Sequence, residues 1–321
     1  MTLLRRTAAT LLVFAATAVC AQPNYPQRPV RLLVPASPGG AMDIVGRIIA
    51  PKLADELGQP IVVDNRGGAA GNIGIELLAR ATPDGYTVMI GNIGNIALNP
   101  GLYPNFPVKP VRDLTAITQI AATPDLLIAN PAAPFRSVRE LIDYAKANPG
   151  KLNVGSLAGN RVQLEYFTRA ARIDMTSIQY KGGAGPAMIA LIGNEISLMF
   201  APLSTALTYV TGGRLAALAV VAPARAPALP NLPTMIEAGF PGLNSGAWQG
   251  LFVPRATPPA IVERLYRATS KVMADAEIRR RLGTIGVEAT TNASPEAFSA
   301  FVKSETGRWA AVISEAGMKG D

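Results

Sequence analysis

Apolar residues along the chain alternate between short continuous runs and segments with helical spacing. The run Val30–Val34 predicts a strand, and residues 42–57 repeat apolar side chains at a spacing close to that of a helix. Further strands are predicted at residues 61–63 and 86–90, with a short helix between them. Strands that alternate with helices indicate parallel βαβ units, so the fold class is α/β.

A second series of strands and helices occupies the middle of the chain. Its strands are predicted at residues 152–154, 177–180, 196–200 and 215–221, the last of them as a central strand. Residues 92–110 and 222–242 are rich in proline and predict irregular connections. A strand at 248–253 follows, then a helix with Thr257 as its N-cap and a last helix that opens at Ser294.

The C-terminal strand and helices need a sheet on which to pack, and the first series supplies only three strands. We therefore expect residues 22–125 and 240–321 to form a first lobe, and residues 126–239 a second. The chain then crosses twice between the lobes, which is the arrangement of a hinge.

The N-terminus has the pattern of a secretory signal peptide over residues 1–21. Arg5 and Arg6 precede a short apolar segment, and small residues allow cleavage after Ala21. A lipoprotein with Cys20 as its lipid anchor is the second interpretation, because the bulky Val19 precedes that cysteine. The signal predicts a periplasmic location.

The composition excludes several kinds of site. The chain has no histidine, and its one cysteine, Cys20, is removed with the signal. Catalysis by Ser-His-Asp or Cys-His groups is therefore excluded, as are zinc and haem sites that need histidine. Neither a cofactor nor a metal is predicted.

The charge is basic but scattered. The net charge of +8 falls to +6 when the signal is removed, and the densest basic run is at residues 279–281. A solvated helix face is the better interpretation of that run, so no nucleic-acid partner is predicted.

Glycine-rich turns recur where a predicted strand hands over to a helix. They lie at residues 36–43, 155–163 and 181–185, with a similar turn at 67–71. Amide donors at a helix start favour an anion, and glycine lets the backbone approach a ligand. Any one such turn is ordinary connection chemistry, but together they favour a small-anion site. Asp43 and Asn92 are further candidate ligand contacts, although a structural role at a helix start is the better interpretation of Asp43.

Several long motifs resemble those of the Bug (TctC-like) receptors of tripartite tricarboxylate transporters. They include "RLLVP" followed by Gly39, Gly40, Asp43 and Arg47, then "VVDNRGGAAGNIG", "YKGGAGPAMIALIGNEISLMF" and "WQGLFVPRATPPAIVERL". The resemblance covers essentially the whole mature chain. It implies a two-lobed periplasmic-binding-protein fold (type II, Venus flytrap) with two interdomain crossings.

The resemblance also implies which residues bind the ligand, a small carboxylate or a related acid or amide held by loop amides and bridging waters. The first lobe would use Ser37, Gly39 and Gly40, and the second lobe would use Ser156, Gly159 and Asn160. A further family loop beside the ligand matches Gly182, Gly183 and Ala184. Three positions depart from the family, which usually has an aromatic residue at Ala36, commonly histidine at Gln163 and often aspartate at Ala201. All three are expected near the cleft, and Ala36 is expected to influence specificity.

We therefore expect a monomeric solute receptor that delivers a small organic acid to membrane permease subunits. Two alternatives are a ligand-loaded partner of a signalling membrane protein and a serine-lysine hydrolase. The hydrolase would pair Ser37 or Ser156 with Lys181, so that serine and lysine share a proton.

Overall fold

The structure is a computed structural model that describes residues 25–103, 105–156, 160–180, 184–244 and 246–319. The predicted signal segment with Cys20, together with Gly159, Lys181, Gly182 and Gly183, lies outside these residues. No described helix is long and apolar enough to cross a membrane.

The first part of the chain alternates strands and helices, as predicted. In order, its elements are β1 (Val30–Val34), α1 (Ala41–Leu57), β2 (Ile61–Asn65), a 3-10 turn (Ala69–Gly71), α2 (Asn72–Ala79), β3 (Thr87–Asn92), a π-helical turn (Ile93–Leu98), α3 (Asn99–Leu102), α4 (Pro110–Asp113) and β4 (Leu114–Thr123). Residues 92–110 are therefore not irregular throughout. Asn92 caps the π-helical turn by accepting a hydrogen bond from the Asn95 amide at 2.9 Å.

The second series has the elements β5 (Asp125–Ala129), α5 (Val138–Ala147), β6 (Asn153–Ser156), α6 (Arg161–Ala171), β7 (Thr176–Gln179), α7 (Ala184–Ile192), β8 (Leu198–Pro202), α8 (Leu203–Thr211) and β9 (Ala216–Val221). The chain ends with β10 (Ala247–Pro254), α9 (Pro259–Ala274), α10 (Ala276–Thr284), β11 (Glu288–Ala289) and α11 (Pro295–Glu315). Ser294 caps α11 by accepting from the Ala297 amide at 3.2 Å. The prediction that Thr257 caps α9 is wrong, because Pro258 has that position and the Thr257 hydroxyl donates to the Pro254 carbonyl at 2.8 Å.

The strands form two sheets. The first has the order β11-β4-β10-β3-β1-β2, in which β1, β2 and β3 are parallel and β10 is antiparallel to both of its neighbours. The C-terminal strand β10 thus returns to the first sheet, as the sequence predicts. The second sheet has the order β7-β6-β8-β5-β9, so the prediction that β9 is a central strand is wrong. An isolated bridge between Val220 and Thr234 covers part of this edge.

The chain passes twice between the two sheets. Only Pro124 separates the end of β4 from the start of β5, and the return runs from Val221 to Ala247. The two passages touch: a Cβ atom added to Gly246 would lie 2.9 Å from the Asp125 amide nitrogen and 3.0 Å from the Pro124 Cα atom. The two α/β units are therefore joined at one narrow place. The lobe boundaries at residues 125/126 and 239/240 stay a prediction.

Candidate functional site

The glycine-rich loop after β1 is held in shape by a buried carboxylate. Asp43, in the first turn of α1, accepts hydrogen bonds from the Gly39 amide at 2.8 Å, from Arg47 Nε at 2.9 Å and from Asn65 Nδ2 at 3.0 Å. The bond from Arg47 is the main cause of a lowered Asp43 pKa, which keeps this side chain ionised. Asp43 thus supports the loop from beneath, which agrees with the structural interpretation of this residue.

Two of the glycine-rich turns pack backbone against backbone. A Cβ atom on Gly67 would lie 3.1 Å from both the Ala36 carbonyl carbon and the Ser37 amide nitrogen. Gly39 has φ +81°, a conformation that glycine adopts without strain. Ser37 and Gly39 remain exposed at the tip of the loop, while Gly40 is half-buried. Glycine at position 67 therefore allows the two loops to pack closely, and glycine at position 39 allows the turn that leaves the tip of the first loop exposed.

A cavity of about 430 Å³ lies between the two sheets. The first sheet and its connections contribute Met42, Ala70, Asn92, Ile93, Gly94, Asn95, Leu98, Asn99, Leu102 and Tyr103, and the second contributes Arg161, Val162 and Gln179. Ala247, Met318 and Lys319 complete the wall. This volume is in the range of roughly 300–1,000 Å³ that is typical of small-molecule sites.

The amide side chains on the first wall have fixed orientations. Asn92 and Asn95 each use their side-chain oxygen to accept from the other's backbone amide, at 2.9 and 2.8 Å. Asn99 donates to the Ala70 carbonyl at 3.0 Å and to Asn72 Oδ1 at 2.6 Å. Asn92 thereby keeps its Nδ2 donor for a ligand, and Asn99 keeps its oxygen as an acceptor.

The charge on the cavity wall is positive. Arg161 and Lys319 are cationic, and no aspartate or glutamate belongs to the described part of the wall. No group of three or more acids, cysteines or histidines that could hold a metal ion occurs in the described residues either. A wall with cations and amide donors favours an anionic ligand.

Behind the second wall lies a group of buried polar residues. Ser156 is 1% exposed, and Asn160 Nδ2 donates to the Phe200 carbonyl at 2.5 Å. Gln163 Nε2 donates to Asp125 Oδ2 at 3.0 Å. Burial raises the Asp125 pKa to about 6, and the hydrogen bond from Gln163 opposes this effect. These residues support the second wall from within.

The structure places the predicted ligand residues at different depths. Asn92 lies on the cavity wall. Asp43 and Gln163 do not, but the residue that precedes each of them in sequence, Met42 and Val162 respectively, does. Ala184 begins α7, next to Gly182 and Gly183, which like Gly159 are outside the described residues. Lys181 of the predicted serine-lysine pair also lies outside the described residues.

The three positions that depart from the family are not on the described cavity wall. Ala201 is fully buried in the core of the second sheet, where β8 pairs it with Leu126 of β5. Gln163 is buried against Asp125, and the half-buried Ala36 packs on the core of the first sheet. The Ala201 side chain is thus enclosed by apolar neighbours, and its place beside the ligand stays a prediction. Any influence of Ala36 on specificity stays a prediction.

Sequence reasoning missed most of the cavity wall. Arg161, Gln179 and Asn99 were not singled out, although Arg161 directly follows the candidate Asn160. One signal was available, because an arginine at the start of a helix is electrostatically unfavourable and suggests another role.

Two α/β units joined by two chain passages, with a cavity between them, define the class of solute-binding proteins. The family description "Tripartite tricarboxylate transporter family receptor" matches residues 45–318. The chain belongs to this family of solute-binding receptors, which confirms the resemblance in the sequence.

Relatives match over nearly the whole chain. Protein BugT of Bordetella pertussis is 34% identical over 324 residues, which cover 98% of each chain. A TctC solute-binding protein from Polaromonas, solved without ligand, has a TM-score of 0.83 at 27% identity and covers 91% of this chain and 99% of its own. A Rhodopseudomonas palustris protein solved with adipate has a TM-score of 0.71 at 33% identity and covers 92% of this chain and 99% of its own.

Proposed function

We propose that the protein is a periplasmic receptor that binds a small carboxylate in the cavity between its two sheets. It then delivers this ligand to the membrane permease subunits of a tripartite tricarboxylate transporter. The observation that carries the proposal is the cavity wall, on which Arg161, Lys319 and Asn92 face no described acid. The adipate bound to the R. palustris relative supports a carboxylate as the ligand class.

Binding is coupled to closure of the two units about the passages at Pro124 and Gly246. The wall is shared between the first sheet, through Asn92, and the second, through Arg161. A ligand that contacts both sides binds the closed form more tightly than the open form and shifts the population towards closure. The first lobe is residues 22–125 with 240–321, and the second is residues 126–239. The receptor works as an exported monomer.

The loops give the ligand its second set of contacts. The exposed tip of the first loop offers the Ser37 backbone amide, while the Gly39 amide is bound to Asp43 and fixes the shape of the loop. The starts of α6 and α7, which follow Gly159 and Gly183 in sequence, offer amides from the second lobe. Amides at a helix start stabilise a carboxylate without a metal or cofactor.

The test is small-angle scattering of the exported chain with and without a panel of organic acids. The panel contains straight-chain mono- and dicarboxylates of four to eight carbons and hydroxy acids, with a diamine as the charge-opposite control. At least one acid should bind and reduce the radius of gyration, while the diamine should do neither. The closure mechanism fails if every bound acid leaves the radius unchanged, and the receptor proposal fails if no acid binds.

A further inference from the structure

Arg161 is an exposed cation on the wall of the cavity, and the described part of that wall has no acid. It is the first residue of α6, and its guanidinium forms no ion pair with any described carboxylate. The same helix carries a contrasting residue, Arg169, whose Nε lies 2.6 Å from Glu165 Oε1. Arg169 does not line the cavity.

The position of Arg161 does not help the helix to which it belongs. The start of a helix carries a partial positive charge, so a cation there is unfavourable, whereas Arg169 in the last turn is favourable. Arg161 also has little packing to contribute, because it is exposed. The local structure therefore provides no reason for arginine at this position, and the cavity does.

The opposite wall offers a complementary group. The Asn92 oxygen is occupied by the Asn95 amide, so the amide nitrogen of Asn92 is the end available to a ligand. The wall of one cavity thus carries a cation from the unit of the second sheet and a neutral donor from the first sheet. The two groups together suit a ligand with a carboxylate at one end and a further oxygen acceptor at the other.

We propose that Arg161 is a specificity-determining residue whose guanidinium binds the ligand carboxylate directly. Asn92 Nδ2 donates to a second oxygen of the same ligand from the first sheet. Guanidinium and carboxylate form two parallel charge-assisted hydrogen bonds, which select a planar carboxylate over a neutral amide or ester. This inference rests on the proposed function, because it assigns contacts within the same cavity.

The test compares R161Q, R161K and R169Q with the unchanged protein by calorimetric titration. The probes are the tightest-binding acid of the panel and its primary amide. R161Q should lose about tenfold or more in affinity for the acid, which corresponds to one charge-assisted contact, and should bind the amide no worse than before. R161K should keep part of the affinity, and R169Q should keep all of it. Increasing salt should weaken binding of the acid by the unchanged protein more steeply than binding by R161Q.

The outcomes separate this inference from the receptor proposal. If the unchanged protein binds an acid and R161Q binds it within about twofold, Arg161 does not contact the carboxylate while the receptor role stands. If the unchanged protein binds no acid, the receptor proposal fails and the Arg161 assignment fails with it. Thermal unfolding without ligand serves as the folding control. R161Q should unfold at the same temperature as the unchanged protein or slightly above it, because the Arg161 side chain is exposed, forms no ion pair with a described carboxylate and lies at the positive end of α6.

Discussion

The Asp43 carboxylate accepts a hydrogen bond from the Gly39 backbone amide at 2.8 Å, four residues back across the turn between β1 and α1. Gly39 has φ +81°, and Ser37 is exposed at the tip of the same loop. Arg47 and Asn65 hold the same carboxylate, so the loop is anchored to α1 and to the end of β2. The loop that we propose for ligand binding therefore depends on a residue that is itself buried.

The first prediction concerns this anchor. D43N removes the negative charge to which Arg47 and the Gly39 amide donate their hydrogen bonds. It should lower the free energy of unfolding at pH 7 by about 1–3 kcal/mol. The folded pKa of Asp43 is lowered, so its contribution is present above the unfolded value of about 3.9 and is lost as the pH falls through the folded value. The difference between the two proteins should therefore shrink in acid.

Denaturant unfolding from pH 3 to pH 7 measures this difference. The control is D55N on the same helix, where the side chain is exposed and the change should be within about 0.5 kcal/mol. A D43N protein as stable as D55N at pH 7 would show that the carboxylate does not anchor the loop.

The sequence predicted those features that depend on local chemistry. The parallel arrangement of β1, β2 and β3 follows from the alternation of strands with helices along the chain, and the start of α11 at Ser294 follows from its capping hydroxyl. The edge position of β9 escaped prediction, because an alanine-rich apolar run looks the same in a central strand and in an edge strand covered by the Thr234 bridge. Periodicity carries no information about strand order.

The cavity wall could be predicted only in part, for a related reason. Asn92 could be identified because it lies close after the predicted strand at 86–90, but Arg161 shares the cavity wall with residues that are distant in sequence. The bond between Gln163 and Asp125 spans 38 residues, and no local pattern marks either partner. The burial of Ala201 likewise depends on the pairing of β8 with β5, which places Ala201 opposite Leu126. This pairing joins segments that are distant in sequence, so no local pattern predicts it.

The second prediction concerns the contact between the two chain passages. A Cβ atom on Gly246 would meet the Thr123 carbonyl oxygen, the Asp125 amide and the Pro124 Cα atom, which are backbone atoms that cannot turn aside. G246A should lower the free energy of unfolding by about 1–3 kcal/mol and should change the radius of gyration without ligand.

The matched control for this substitution is G307A in α11. A Cβ atom there meets no atom within 4 Å, so G307A should stabilise the helix by about 0.5–1 kcal/mol. Equal effects of the two substitutions on stability and radius would contradict a tight contact at Gly246.

The third prediction concerns a buried acid beside the return passage. Glu305 Oε2 accepts from the indole nitrogens of Trp248 at 3.2 Å and Trp309 at 3.4 Å, and Glu305 forms an ion pair with Arg308. Arg308 in turn donates to the Gly242 carbonyl and to Asn244 in the return passage. E305A leaves a largely buried cation without its carboxylate and should cost about 3–5 kcal/mol.

Intrinsic fluorescence measures this change directly, because the two tryptophans are the only ones in the chain. E305A should shift the native emission as well as the unfolding midpoint. The control is E263A, which breaks the exposed pair with Arg267 on α9 and should cost at most about 1 kcal/mol with no spectral change. Similar losses of stability in E305A and E263A would show that Glu305 does not stabilise the contacts beside the return passage.

The fourth prediction concerns Asp125 at the first passage between the sheets. Burial raises its pKa from 3.8 to about 6, which corresponds to about 3 kcal/mol of stability that depends on pH. Because the folded pKa is above the unfolded value, this stability is fully present below about pH 4 and is lost as the pH rises through about 6. D125N removes the titration while leaving an oxygen to accept from Gln163.

The unfolding free energy of D125N relative to the unchanged protein should therefore rise by up to about 3 kcal/mol between pH 4 and pH 7. Denaturant titrations at half-unit intervals measure this difference, and D143N, which removes an exposed carboxylate on α5, should leave the pH profile unchanged. A pH-independent difference between D125N and the unchanged protein would mean that Asp125 does not titrate in this range.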